Sequence, residues 1–173
     1  MRGFLHRDPL ADAETLIRQV YAYAAYRLGH GPDAEDVTSE VFERALRYRR
    51  SFDRSKGSPV AWLLGIARRC ADDLLARPRE YHEPVETSDG RDLEEETVRR
   101  MMLAGALAQL SDRDRELIAL RYGGDLTAAQ IAELLGAQTN AIEVALHRAL
   151  ARLRRLLESQ EAATLRPTGS GRL

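Results

Sequence analysis

A chain of 173 residues has room for one or two small domains, and 44% hydrophobic with 31% charged residues suits a soluble helical protein. Its 26 basic side chains are offset by 27 acidic ones, so no global positive field announces a nucleic-acid partner, and the distribution of charge matters more than its sum. A single cysteine excludes a disulfide framework or thiolate metal cluster; the start, MRGFLHRDPLADAE, lacks the apolar core of a signal peptide, and no stretch is apolar enough to span a membrane, so a cytoplasmic protein is expected.

Helical periodicity begins near Ala11 and runs to Leu28, with Leu16, Val20, Tyr23 and Ala24 on one face. Gly29, Gly31 and Pro32 break it. Asp33 is placed to cap a second helix, AEDVTSEVFERALRYRR, whose apolar register is Val37, Val41, Ala45 and Tyr48. SFDRSKGS is a polar loop. Ser58 followed by Pro59 is a strong start signal for a third helix, which runs to Pro78 with Trp62, Ile66, Ala67, Cys70, Leu74 and Leu75 on its broad apolar face. There Cys70 reads as a buried, inert thiol.

From Pro78 to Val98 the composition changes to prolines, a glycine and dense acid with few large apolar residues, the pattern of an extended or disordered linker. Helical pattern resumes at Arg99. Ser111 caps DRDRELIALRYGG, and two further helices follow in LTAAQIAELLGAQTNAIEVALHRALARLRRLL. The reading is all-α, with an N-terminal domain over 1–77, an acidic flexible linker over 78–98, a C-terminal domain over 99–158 and a disordered tail over 159–173.

That last pair of helices has the spacing of a helix-turn-helix. Thr127 caps the first, Ala132 lets the helices approach, Gly136 makes the turn, and Ile142 locks the second helix onto the first. Thr139 or Asn140 can cap the second helix, whose apolar stripe is Ile142, Leu146, Leu150, Leu153 and Leu157. Held this way, it projects its N-terminal half outward, as entry into a major groove requires.

Two other constellations stand out. Asp36 and Glu40 lie one turn apart with Phe42 close by, a carboxylate pair beside an aromatic that suits a basic helical partner. Glu40 can equally pair with Arg44 on its own helix, for about 0.3–0.5 kcal/mol. Further on, Arg47, Arg49, Arg50, Arg54 and Lys56 interleave with Tyr48 and Phe52, and Arg68, Arg69 and Arg77 continue the run. Charges for phosphate and rings for bases are what a single strand needs; Trp62 is either a stacking platform or a core residue.

Taken together, these segments resemble the extracytoplasmic-function class of bacterial RNA polymerase sigma factors, over roughly Leu16 to Leu157. AEDVTSEVFERAL looks like the family's polymerase-docking helix, SPVAWLLGIARRCADDLLAR like the helix that meets the melted −10 element, and LSDRDRELIALRYGGDLTAAQIAELLG with HRALARLRRLL like the domain that reads the −35 element. The resemblance implies polymerase docking through Asp36, Glu40 and Phe42, melted-strand contact through Arg54, Lys56, Trp62, Arg68 and Arg69, and −35 contact through Asn140, Glu143, Val144, His147, Arg148 and Arg152. It implies core RNA polymerase as partner (the β′ coiled coil and the β flap), with promoter DNA, and an anti-sigma factor as a candidate. No catalytic residue, cofactor, metal, membrane or small-molecule substrate is expected.

The chain departs from the family where many members carry a basic residue, Ser and Arg: here stand Glu143, Val144 and Ala145. Arg69 likewise replaces a common asparagine. The competing reading is a helix-turn-helix regulator acting without core polymerase, which leaves the docking helix and acidic linker unused. An enzyme finds no support, since the four histidines are scattered and no glycine loop cradles phosphate.

Overall fold

Local signals set the bounds of most helices in the computed structural model, which describes residues 8–77 and 94–164. The Asp12 carboxylate caps α1 (Ala13–Leu28) by accepting from the Thr15 amide at 3.5 Å, and the helix stops at Gly29, φ 93°. α2 (Pro32–Tyr48) carries Pro32 at its start and Gly31 at the cap, so Asp33, expected as the cap, lies inside the first turn. Proline's fixed φ and missing amide favour the first helical position and move the start upstream. α3 (Pro59–Leu75) begins as predicted, with Ser58 Oγ accepting from the Ala61 amide at 3.3 Å.

α4 (Glu94–Ala108) starts within the expected linker, so residues 94–98 are helical. Carboxylates are favourable in a first turn, and Glu96 pairs with Arg100 one turn on. The rest of that linker, 78–93, lies outside the described residues. α5 (Asp112–Ile118) is capped by Ser111 and widens over Ala119–Gly123 into a π turn, the Gly124 amide donating to the Ala119 carbonyl at 2.9 Å. α6 (Ala128–Leu135) and α7 (Thr139–Thr164) complete the fold.

Two expected boundaries at α7 move. Thr139 is already helical and the Ile142 amide donates to the Gln138 carbonyl at 3.1 Å, so the cap falls before the two residues expected to provide it. The helix also continues over 159–164, where a disordered tail was expected, because Gln160 finds Gly105 of α4 to pack against. Residues 165–173 lie outside the described set. No described residue forms a strand, and no described helix is long and apolar enough to cross a membrane.

The core explains the packing. A smaller cluster of Ala106, Leu107, Leu110, Ile118, Ala149 and Leu153 ties α4, α5 and α7 together. The larger one joins the two domains: Val20 and Tyr23 of α1, Val41 of α2 and Leu63 and Leu64 of α3 pack in one cluster with Leu120, Leu126, Ile131 and Ile142. The sequence reading gave two modules on a tether and no such contact. What permits it is Gly123, where a Cβ would stand 2.7 Å from the backbone N and Cα of Tyr23. No residue with a side chain fits that approach without moving α1.

Candidate nucleic-acid interface

The helix-turn-helix is assembled as its residues dictate. Thr127 and Gln130 form a reciprocal capping box at the start of α6: the Gln130 amide donates to Thr127 Oγ1 at 3.2 Å and the Thr127 amide to Gln130 Oε1 at 2.8 Å. Gly136 adopts the left-handed conformation, φ 63°, and the Ala137 amide closes the turn on the Ala132 carbonyl at 2.8 Å. Ala132 and Ile142 are both 3% exposed, which fixes α7 against α6.

On α7 the buried stripe is Ile142, Leu146, Ala149 and Leu153. With about 100° per residue, the opposite, solvent face is centred on Val144, Arg148 and Arg155. Asn140, Val144, Arg148, Arg152 and Arg155 line one groove, closed on its far side by Arg113 and Asp114 at the start of α5. Glu143 and His147 are exposed but lie on the flank of the helix, outside that groove. Neither forms an ion pair with another described residue, so Glu143 is not neutralised by His147 or a neighbouring arginine. Arg152 is: its Nη1 donates to the nearly buried Asp114 carboxylate at 2.8 Å, stapling α7 to α5. Arg113 is the groove cation that the sequence does not announce; only the packing of α5 beside α7 brings it in.

The melted-strand candidates divide between two faces of the N-terminal domain. Arg54 and Lys56 stand exposed on a short 3-10 turn, Arg54–Lys56. Asp53 anchors that turn, its Oδ1 accepting from Ser55 Oγ at 2.7 Å and the Ser55 amide at 2.9 Å, bonds that hold its carboxyl below the usual range. Trp62 is half-buried and its ring meets Phe52 at 5.3 Å between centroids, so one face of the indole is committed to packing. Arg69 is exposed two turns along on the Trp62 side of α3. Arg68 points elsewhere, into the seam between domains.

In that seam the Glu116 carboxylate of α5 gathers three donors from the other domain. It accepts from Arg68 Nε at 2.6 Å and from the Tyr23 hydroxyl at 3.3 Å, and Arg27 Nη2 lies 3.4 Å away. Arg27 also donates to Asp72 of α3 at 3.0 Å. Burial, and then the Glu116 charge, push the Tyr23 hydroxyl far above its ordinary range, which keeps it a donor. Arg27 is 4% exposed; its Nε and Nη1 make no hydrogen bond, and Nη1 lies 3.8 Å from the Asp112 carboxylate.

On α2, Asp36, Glu40 and Glu43 share one solvent-facing side. Glu40 is paired with Arg44, as its own surface allows, and Arg44 also reaches Asp73 at 4.0 Å. Phe42 departs from expectation: it is half-buried, packs against the main core and lies about 120° or more around the helix from Asp36 and Glu40. Leu46, 57% exposed, is the exposed apolar side chain of that helix, one turn after Glu43 but about 120° around from Glu40.

Comparison with known proteins agrees with this geometry. Residues 13–80 match the family Sigma-70 region 2, and residues 100–153 match Sigma-70, region 4. The chain is 31% identical over 152 residues to the ECF RNA polymerase sigma factor SigK of Mycobacterium ulcerans, covering 82% of this chain and 81% of that protein. It is 33% identical over 148 residues to BldN, an ECF RNA polymerase sigma factor of Streptomyces coelicolor; that match covers 80% of this chain but only 56% of the relative. Among solved structures, the sigma factor RpoE in complex with the anti-sigma factor NepR from Bartonella quintana superposes with a TM-score of 0.64 at 20% identity, over 85% of this chain and 94% of that one. CnrH in complex with the cytosolic domain of CnrY gives 0.63 at 23% identity, over 87% and 85%. At those identities the likeness is one of fold.

Proposed function

Since the chain belongs to the extracytoplasmic-function RNA polymerase sigma factors, we propose a division of labour among its surfaces. It directs core polymerase to promoters for transcription initiation, and it works by binding rather than by catalysis, in the cytoplasm where polymerase and chromosome meet. The N-terminal domain docks on polymerase through the carboxylate face of α2, Asp36 and Glu40. Arg54, Lys56, Arg69 and the open face of Trp62 meet the melted −10 strand, joined by Arg68 once the seam parts. The C-terminal domain reads the −35 duplex through Val144 and Arg148, while Arg113 and Arg155 hold phosphates. RpoE of Bartonella quintana is seen with an anti-sigma factor, and we infer a partner of that class here.

The observation that carries this reading is the groove on α7, where exposed cations flank an apolar side chain on a helix held by a helix-turn-helix. A regulator acting without polymerase would leave residues 13–80, the region 2 half, without a task. Reversing both docking charges, Asp36→Arg with Glu40→Arg, should abolish pull-down of core polymerase and run-off transcription while helical content stays constant. Unchanged pull-down by that double variant would remove the docking assignment.

A further inference from the structure

The seam between the domains poses a problem for a sigma factor. A compact chain of this length has a radius of gyration of about 16 Å. Promoter elements about 25 base pairs apart are about 85 Å apart along a duplex. One body with a common core cannot lie on both, so the closed arrangement must part on a promoter. Its chemistry shows what holds it and what it withholds.

We propose that Glu116 is an intramolecular latch that takes the place of a promoter phosphate on Arg68, keeping the free chain closed and that arginine out of reach of DNA. Three observations carry this. Glu116 meets Arg68 at 2.6 Å with Tyr23 and Arg27 around the same carboxylate, a geometry that satisfies a guanidinium as a phosphate oxygen would. The backbone of α1 lies so close to Gly123 that the two domains are keyed together by shape as well as charge. The lock is also incomplete. Arg27 is buried with no hydrogen bond to Nε, and its Nη1 meets only the Asp112 carboxylate, at 3.8 Å, at the edge of a cleft of about 350 Å³ lined by Arg68, Asp112, Arg113 and Glu116. Opening returns those donors to water, so closure is held against a standing penalty and yields to a stronger competitor for the arginines. Polymerase on the α2 face and a strand on α3 supply that competition together. The latch needs no second protein, and it rests on the reading of Arg68 as a strand contact.

The test uses the full chain without polymerase. Small-angle scattering should show Glu116→Gln expanded relative to wild type at unchanged helical content, and binding of a fluorescent single-stranded oligonucleotide should tighten. If one chain in ten is open at rest, full opening tightens it about tenfold. Gly123→Ala should do the same without touching a charge, since its new Cβ meets rigid backbone of the other domain while alanine suits the helical turn it sits in. Both variants as compact as wild type, with unchanged strand affinity, would overturn the latch. Expansion with no gain in strand binding, and no loss on adding Arg68→Ala to Glu116→Gln, would instead overturn Arg68 as a strand contact and leave the latch standing.

Discussion

The seam between the domains and the outward face of α7 are both built on arginine, and they use it in opposite ways. In the seam Arg27 and Arg68 are gripped by Glu116 and Asp72 over a packed apolar floor. On α7, Arg148 and Arg155 make no ion pair with another described residue, and they line an open groove. Nothing in their sequence neighbours separates the two sets; Arg68 and Arg69 are adjacent yet one is captured and the other exposed. What an arginine does here is decided by whether a carboxylate from a distant helix reaches it.

The largest test of that contrast is apolar. Tyr23 is fully buried where α1 meets the π turn, so Tyr23→Ala should lower unfolding free energy by about 3–5 kcal/mol in a denaturant titration. Val144→Ala, on a residue 43% exposed, should move it by less than about 0.5 kcal/mol. Equal losses would mean that the α7 face is as structural as the seam.

Next come two arginines one turn apart on α7. Arg148→Ala should leave the melting temperature alone and weaken −35 duplex binding by about 1–3 kcal/mol in a fluorescence titration. Arg152→Ala should do the reverse, costing about 1 kcal/mol of stability because the nearly buried Asp114 loses its partner, discounted for the half-exposed arginine. If Arg152→Ala weakens DNA binding as much as Arg148→Ala does, the staple to α5 is not its role.

The smallest effect concerns a choice of base. Glu143 is exposed and free of any described ion-pair partner, so its carboxylate can accept from cytosine N4 at the edge of the groove. Binding selection should give wild type a cytosine preference worth about 1 kcal/mol at one −35 position, and Glu143→Lys should lose it. The same preferred sequence from both proteins, differing only in salt dependence, would make Glu143 an electrostatic bystander.

Much of this was legible in the sequence because it is local. Ser58–Pro59, Ser111, the Thr127 cap, Gly136 and the Ile142 stripe each set structure within a turn or two of themselves, and the helix-turn-helix followed from them. The misses are of two kinds. Phe42 was grouped with Asp36 and Glu40 by nearness in sequence, although helical geometry turns it towards the core and leaves Leu46 outside. The seam, Arg113 beside α7 and the Arg152–Asp114 staple depend on contacts between residues far apart in the chain, which periodicity does not encode. Gly123 carries only a faint signal, a glycine pair after an apolar run.

Lys56 is the only lysine of the chain, and it stands exposed on the turn that leads into α3. Amine-directed reagents therefore have a single side-chain target, already at the corner assigned to the melted strand. Acylating the unaltered protein writes one side-chain mark there, distinguishable from the α-amine by peptide mass, and its shielding or exposure along the transcription cycle can be followed with no engineered label.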